Sequence, residues 1–190
     1  PAPAKDDVVV YYTNDVHTYI DGTISYDNLA WLKQNTNAAD VLLVDAGDHV
    51  QGTAYGGMDK GKTIIDLMNA GGYDLATLGN HEFDYGMERA LELVEKAEFD
   101  YISCNFHHIV DGYEGTTVLP SIYTADFGET RIAFIGITTP ESFTKSTPAY
   151  FQDENGNYIY DILGGEDGKA LYECVQAAID KASAEADIVI

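Results

Sequence analysis

A chain of 190 residues with 45% hydrophobic content can bury one substantial core, which excludes a natively disordered segment. Ten basic residues against 32 acidic ones leave a net charge of −22, a field that repels nucleic acid and anionic lipid and argues against both as partners. No apolar run approaches the roughly 18 residues of a membrane span, and the two cysteines, Cys104 and Cys174, lack the paired spacing of a thiolate zinc site.

Pro1 to Asp7 read as a flexible leader. Val8 to Thr13 is β-rich and runs directly into Asn14-Asp15-Val16-His17. Strand side chains alternate faces, so Asp15 and His17 point the same way if the extended geometry continues through them. A carboxylate and an imidazole then converge, a half-site suited to Mn, Zn or Fe better than to Ca. Residues 25–35 read as a helix, with Ser25 or Asp27 as cap. The second strand, Asp40 to Val44, ends in Asp45-Ala46-Gly47-Asp48-His49-Val50-Gln51-Gly52. Here the glycines let the backbone approach closely while Asp48 projects. Asp45 is expected buried and hydrogen-bonded, and His49, diverging from its neighbour Asp48, on the rim or surface.

Residues 61–70 read as a helix closed by Gly71-Gly72. The next strand, Leu75 to Leu78, stops at Gly79 and presents Asn80-His81-Glu82-Phe83-Asp84. Asn80 offers a neutral oxygen ligand and His81 a metal ligand or proton donor. Asp84, three residues on, can fix the tautomer of His81. The bland alternative makes Asn80 and Asp84 helix caps. A helix over 86–99 and a strand over 101–105 complete an alternation that implies parallel strands joined by crossover helices. His107 and His108 are expected in a surface loop.

The second half changes character. Pro120 to Phe127 and Arg131 to Ile137 read as a hairpin, so the sheets are mixed. Residues 147–168 read as an ordered loop pinned by its aromatics, 169–186 as an amphipathic helix, and 187–190 as the start of a strand. The cysteines are expected to be buried thiols, with a disulfide left open. A chain stopping inside a strand reads as the N-terminal part of a longer protein.

Taken in order, Thr13-Asn14-Asp15-Val16-His17, the Gly47–Gly52 turn and Gly79-Asn80-His81-Glu82-Phe83-Asp84 resemble the calcineurin-like metallophosphoesterases. The wording is closest to the group of 5'-nucleotidases, UDP-sugar hydrolases and 2',3'-cyclic nucleotide phosphodiesterases. The resemblance implies an α/β fold with mixed β-sheets sandwiched by helices (α-β-β-α), C-terminally truncated here. Residues 8–190 would form the N-terminal part of the metallophosphoesterase domain, without its remainder or a C-terminal nucleotide-binding domain. It further implies hydrolysis of nucleotide phosphoesters by hydroxide activated between two divalent ions (Mn, Zn, Co or Fe), in an extracellular, periplasmic or cell-surface setting. Asp15 and His17 would hold one ion, Asp48 would bridge, and Asn80 would hold the second. Asn80 and His81 would meet the substrate, a nucleotide or other small phosphoester, with His81 and Asp84 catalytic. Bound cations would also reverse the local sign of an acidic protein that otherwise repels phosphate. The family adds a histidine after the strand at Asp187 and a later Gly-His-x-His or Gly-His-x-Gln turn, neither of which lies in these residues. The isolated piece is therefore expected to bind at most one metal weakly and to turn over little. The competing reading is a non-catalytic metal-binding or cell-surface interaction module of the same fold.

Overall fold

The computed structural model describes residues 3–22, 24–165 and 167–190. Pro1 and Ala2 of the expected leader lie outside them. Four strands, β1 (Val8–Thr13), β2 (Asp40–Asp45), β3 (Leu75–Ala76) and β4 (Asp100–Tyr101), lie side by side in that order, all parallel. Parallel neighbours need crossovers. These are supplied by α1 (Tyr26–Asn35), by α2 (Ala54–Met58) with α3 (Lys62–Gly71), and by α4 (Met87–Lys96). Alternation along β2 shows why the strand is apolar on both faces. Leu43 enters a core with Tyr26 of α1 and Ile64, Ile65 and Met68 of α3, whereas Leu42 and Val44 pack with Leu75, Ile102, Ile132 and Phe134.

A hairpin of β5 (Phe106–Val110) and β6 (Tyr113–Thr117) follows where a surface loop was expected. Its turn is Asp111-Gly112, both left-handed at φ 53° and 79°, the pairing that two-residue hairpins favour. His107 is therefore not a surface residue. It is buried, its Nε2 bonded to the Cys104 carbonyl at 2.9 Å, and His108 stacks half-buried on Tyr160.

The second hairpin forms as expected, β7 (Ile122–Phe127) antiparallel to β8 (Thr130–Ile135). After the single-turn α5 (Ser142–Lys145), the segment expected as a pinned loop contributes a 3₁₀ turn (Pro148–Phe151) and β9 (Tyr160–Ile162), which pairs with β5. Phe151 is fully buried and does pin it. Glu166 of that segment lies outside the described residues. Helix α6 (Lys169–Ser183) packs against β8 and β10 (Ile188–Val189), and β10 joins β8 in parallel. The order is thus helices, parallel sheet, mixed sheet, helix, with the cluster of Leu42, Leu75, Ile102, Ile132 and Phe134 between the sheets. Cys104 and Cys174 are free thiols. Among the described residues, no helix is long and apolar enough to cross a membrane.

Candidate metal centre

The carboxyl ends of β1, β2 and β3 lie side by side, at the end of the sheet where open parallel sheets bind ligands. The extended geometry expected through Asp15 and His17 does not continue. The chain leaves β1 at Thr13, and Asp15, His17 and Thr18 all take left-handed backbone, at φ 56°, 48° and 60°. The pair converges nonetheless, because each backbone N–H is tied to the next loop: Asp15 N to Gly47 O at 3.1 Å and His17 N to Asp48 O at 3.0 Å. His17 Nδ1 lies 2.9 Å from the Gln51 carbonyl, which can only accept, so Nδ1 carries the proton. In the neutral ring, Nε2 then turns its lone pair toward Asp15 Oδ1 at 3.2 Å. Two electron-pair donors facing one another at that distance fit a shared cation.

Asp48, also left-handed at φ 60°, accepts the His81 backbone N–H at 2.8 Å. Ligand atoms of His17, Asp48 and His81 all lie within 4.8 Å of one another, and the two imidazoles meet edge to face at 4.7 Å. These three are brought together, with Asp15 joined through His17. Burial raises the Asp48 carboxyl above its ordinary range, and the charges of Glu82 and Asp15 add to this. The His81 N–H and its imidazole oppose the shift. His81 Nδ1 bonds Asp84 Oδ2 at 2.7 Å. Asn80 leads into the 3₁₀ turn His81–Phe83, and its side chain makes no capping bond. Asn80 and Asp84 do stand at the N- and C-cap positions of that turn, the Asp84 N–H reaching the His81 carbonyl at 3.3 Å, while the Asp84 carboxylate is engaged by the His81 ring. Phe83 anchors the turn against Phe106 and Phe151, at centroid distances of 5.6 and 5.1 Å.

Two residues of the site were missed or misplaced by sequence reasoning. Glu82 is buried, and its carboxylate accepts backbone N–H groups from Gly79 (2.6 Å), Asp48 (2.9 Å) and His49 (2.8 Å), clamping the loops after β2 and β3 together. His49 is not on the rim. It does diverge from Asp48, but inward, and is fully buried between Asp45 Oδ1 at 2.7 Å and the Tyr101 hydroxyl at 2.6 Å. Burial disfavours its charge, yet Glu82 and Asp45 outweigh that and push its pKa up to about 9. The signal was available: a histidine four residues after a buried carboxylate has a ready partner. Asp45 is buried as expected, bonded also by Thr13 Oγ1 at 2.6 Å and Gly47 N at 2.8 Å. The loops touch through glycines. A Cβ on Gly79 would lie 2.3 Å from Asp48 Oδ1, and one on Gly47 would lie 2.4 Å from Gly79 N.

The sequence profile of the family described as calcineurin-like phosphoesterase matches residues 8–170. The chain belongs to that family. Its reaction class is phosphoester hydrolysis, and its members use divalent metals. Among curated relatives, a snake venom 5'-nucleotidase from Gloydius brevicauda is 33% identical over 176 residues, covering 80% of this chain and 29% of the relative. The human 5'-nucleotidase is 32% identical over 182 residues, covering 81% and 30%. The chain thus spans under a third of these relatives. Among solved structures, a putative 5'-nucleotidase from Staphylococcus aureus superposes with a TM-score of 0.76 at 20% identity, covering 95% of this phosphoesterase chain and 36% of that one, which shows the shared fold.

Proposed function

We propose that this chain carries one side of the active site of a divalent-metal-dependent hydrolase acting on nucleotide phosphoesters in the manner of a 5'-nucleotidase. The observation that carries the reading is the meeting of His17, Asp48 and His81 within 4.8 Å at the ends of three adjacent parallel strands. The relatives named 5'-nucleotidase support the substrate class. Asp15 and His17 would hold one ion, Asp48 would be shared by two, and Asn80 would hold the second. A group shared by two cations should be an anion, which Asp48 is and Asn80 is not. Divalent ions, when bound, offset the phosphate charge and bring the pKa of water toward neutrality.

The chain's own residues supply the rest. Gln51 fixes the His17 tautomer and so aims Nε2. Glu82 holds the Asp48 backbone in register. Burial opposes protonation of His81, but Asp84 at Nδ1, with Asp48 and Glu82 nearby, raises its pKa and favours the imidazolium. His81 Nε2 can then donate to a phosphoryl oxygen or to the leaving oxygen.

The test is phosphate release by the full-length protein from AMP, UDP-glucose and 2',3'-cyclic AMP with Mn, Zn or Co. Release from none of them at saturating metal overturns the reading and favours the non-catalytic module. Asp48→Asn abolishes turnover. His81→Ala retains metal affinity while kcat falls about 10²- to 10⁴-fold, and equal loss of both refutes the role assigned to His81.

A further inference from the structure

Away from the metal centre, a cavity of about 470 Å³ opens between α6 and the segment after β4, lined by both cysteines of the chain together with His107, Glu114 and Leu163. Cys174 Sγ donates to the Cys104 carbonyl at 3.0 Å, which brings the two cysteines together across 70 positions of sequence. Cys104 is buried and its backbone is held on both sides, its N–H by Gly136 O at 2.8 Å and its carbonyl by His107 Nε2 at 2.9 Å. Cys174 is half-buried on the helix face that meets the cavity, which gives a small reagent a way in. Nothing in the proposed hydrolysis uses either thiol.

We propose that Cys104 and Cys174 form a modification site at which the folded chain closes an intramolecular disulfide by exchange with a small-molecule disulfide. The Cys174 thiolate attacks the reagent, forming a mixed disulfide and releasing one small thiolate. The Cys104 thiolate then attacks the Cys174 sulfur and displaces the second. The protein loses two thiol protons and two electrons, and the reagent is reduced to two small thiols. With only two cysteines in the chain, the product is unique. Burial, with the adjoining Cys174 sulfur, pushes the Cys104 thiol up to about 12, and burial also raises Cys174. Closure is therefore slow at neutral pH and speeds up as pH rises. The bond joins α6 to the 103–105 segment, where Asn105 already holds the Thr138 carbonyl at 2.8 Å.

The folded chain is incubated with oxidised glutathione at pH 8. Two titratable thiols disappear, the intact mass falls by two hydrogens without dimer formation, and dithiothreitol restores both. Tm rises by roughly 5–15 °C. Cys104→Ser stops at a stable glutathione adduct on Cys174, and Cys174→Ser leaves the buried Cys104 unmodified. A stable adduct on the unsubstituted chain, a disulfide-linked dimer, two thiols that persist, or a closed bond that lowers Tm each overturns the proposal.

Discussion

Replacing Glu82 by glutamine keeps shape and volume and changes only what the carboxylate does. Its Oε2 accepts from Gly79 and Asp48, and its Oε1 from His49 at 2.8 Å and more loosely from Val50 at 3.4 Å, while lying 3.5 Å from His49 Nδ1. An amide has one oxygen, so either orientation turns an NH₂ toward a backbone N–H that was paired. Bonds to a charged acceptor contribute about 1.5–3 kcal/mol each, and a buried donor left unpaired costs about 1–3 kcal/mol. The buried His49 also loses one of its two carboxylates. These terms share atoms and do not add, so the expected loss is about 3–5 kcal/mol. For a chain of this size that lowers Tm by roughly 10 °C. Urea unfolding at pH 7 with chelator present measures it, because bound metal would mask part of the loss by mass action. A loss below about 1 kcal/mol at unchanged m-value would refute the clamp. Manganese affinity should fall in parallel, since the variant frees the Asp48 backbone without touching a proposed ligand.

The Gly79→Ala Cβ collides with the Asp48 carboxylate and with its backbone N at 2.8 Å, so calorimetric titration should show metal affinity lost in a chain that remains folded by circular dichroism. Wild-type affinity there would mean the loops separate freely. Asp84→Asn removes the charge that raises the His81 pKa, so kcat drops about 10- to 100-fold and the alkaline limb of its pH profile moves to lower pH. A limb that stays in place argues against His81 as the proton donor. The fourth expectation concerns His49. Its folded pKa of about 9 exceeds the ordinary 6.5, so its contribution is fully present below pH 6.5 and is lost as pH rises through 9. In chelator, the stability difference between wild type and His49→Phe should accordingly shrink by roughly 3 kcal/mol across that window. A pH-independent difference would show that His49 is neutral in the fold.

The three motifs were legible because each strand dies at a polar or glycine position, and the parallel sheet followed from the alternation of strands and helices. That the motifs share one site was implied by the family resemblance, and the fold brings His17, Asp48 and His81 together. What sequence could not supply was direction. Adjacent residues do diverge at Asp48 and His49, but only the tertiary fold decides that the second side chain goes into the core. Glu82 was passed over because its partners are backbone N–H groups, which have no sequence signature. The β5–β6 hairpin did have one, Asp111-Gly112, which lies just past the two histidines read as part of a loop after the fourth strand. Asp15 and His17 were expected to converge by strand pleating. They converge instead through tethers to Gly47 and Asp48, a contact between segments more than thirty positions apart.

Those tethers leave Asp15, His17 and Asp48 in left-handed backbone, a region that non-glycine residues enter rarely and that Asp, Asn and His tolerate best. Asp and His are thus both donors to a divalent ion and among the few types that occupy these torsions readily. Each position answers two separate demands with one side chain. Lengthening Asp15 to glutamate keeps the carboxylate and forfeits the torsion, and glycine keeps the torsion and forfeits the donor. The repertoire open to drift at these three positions is therefore narrower than ligand chemistry alone would set.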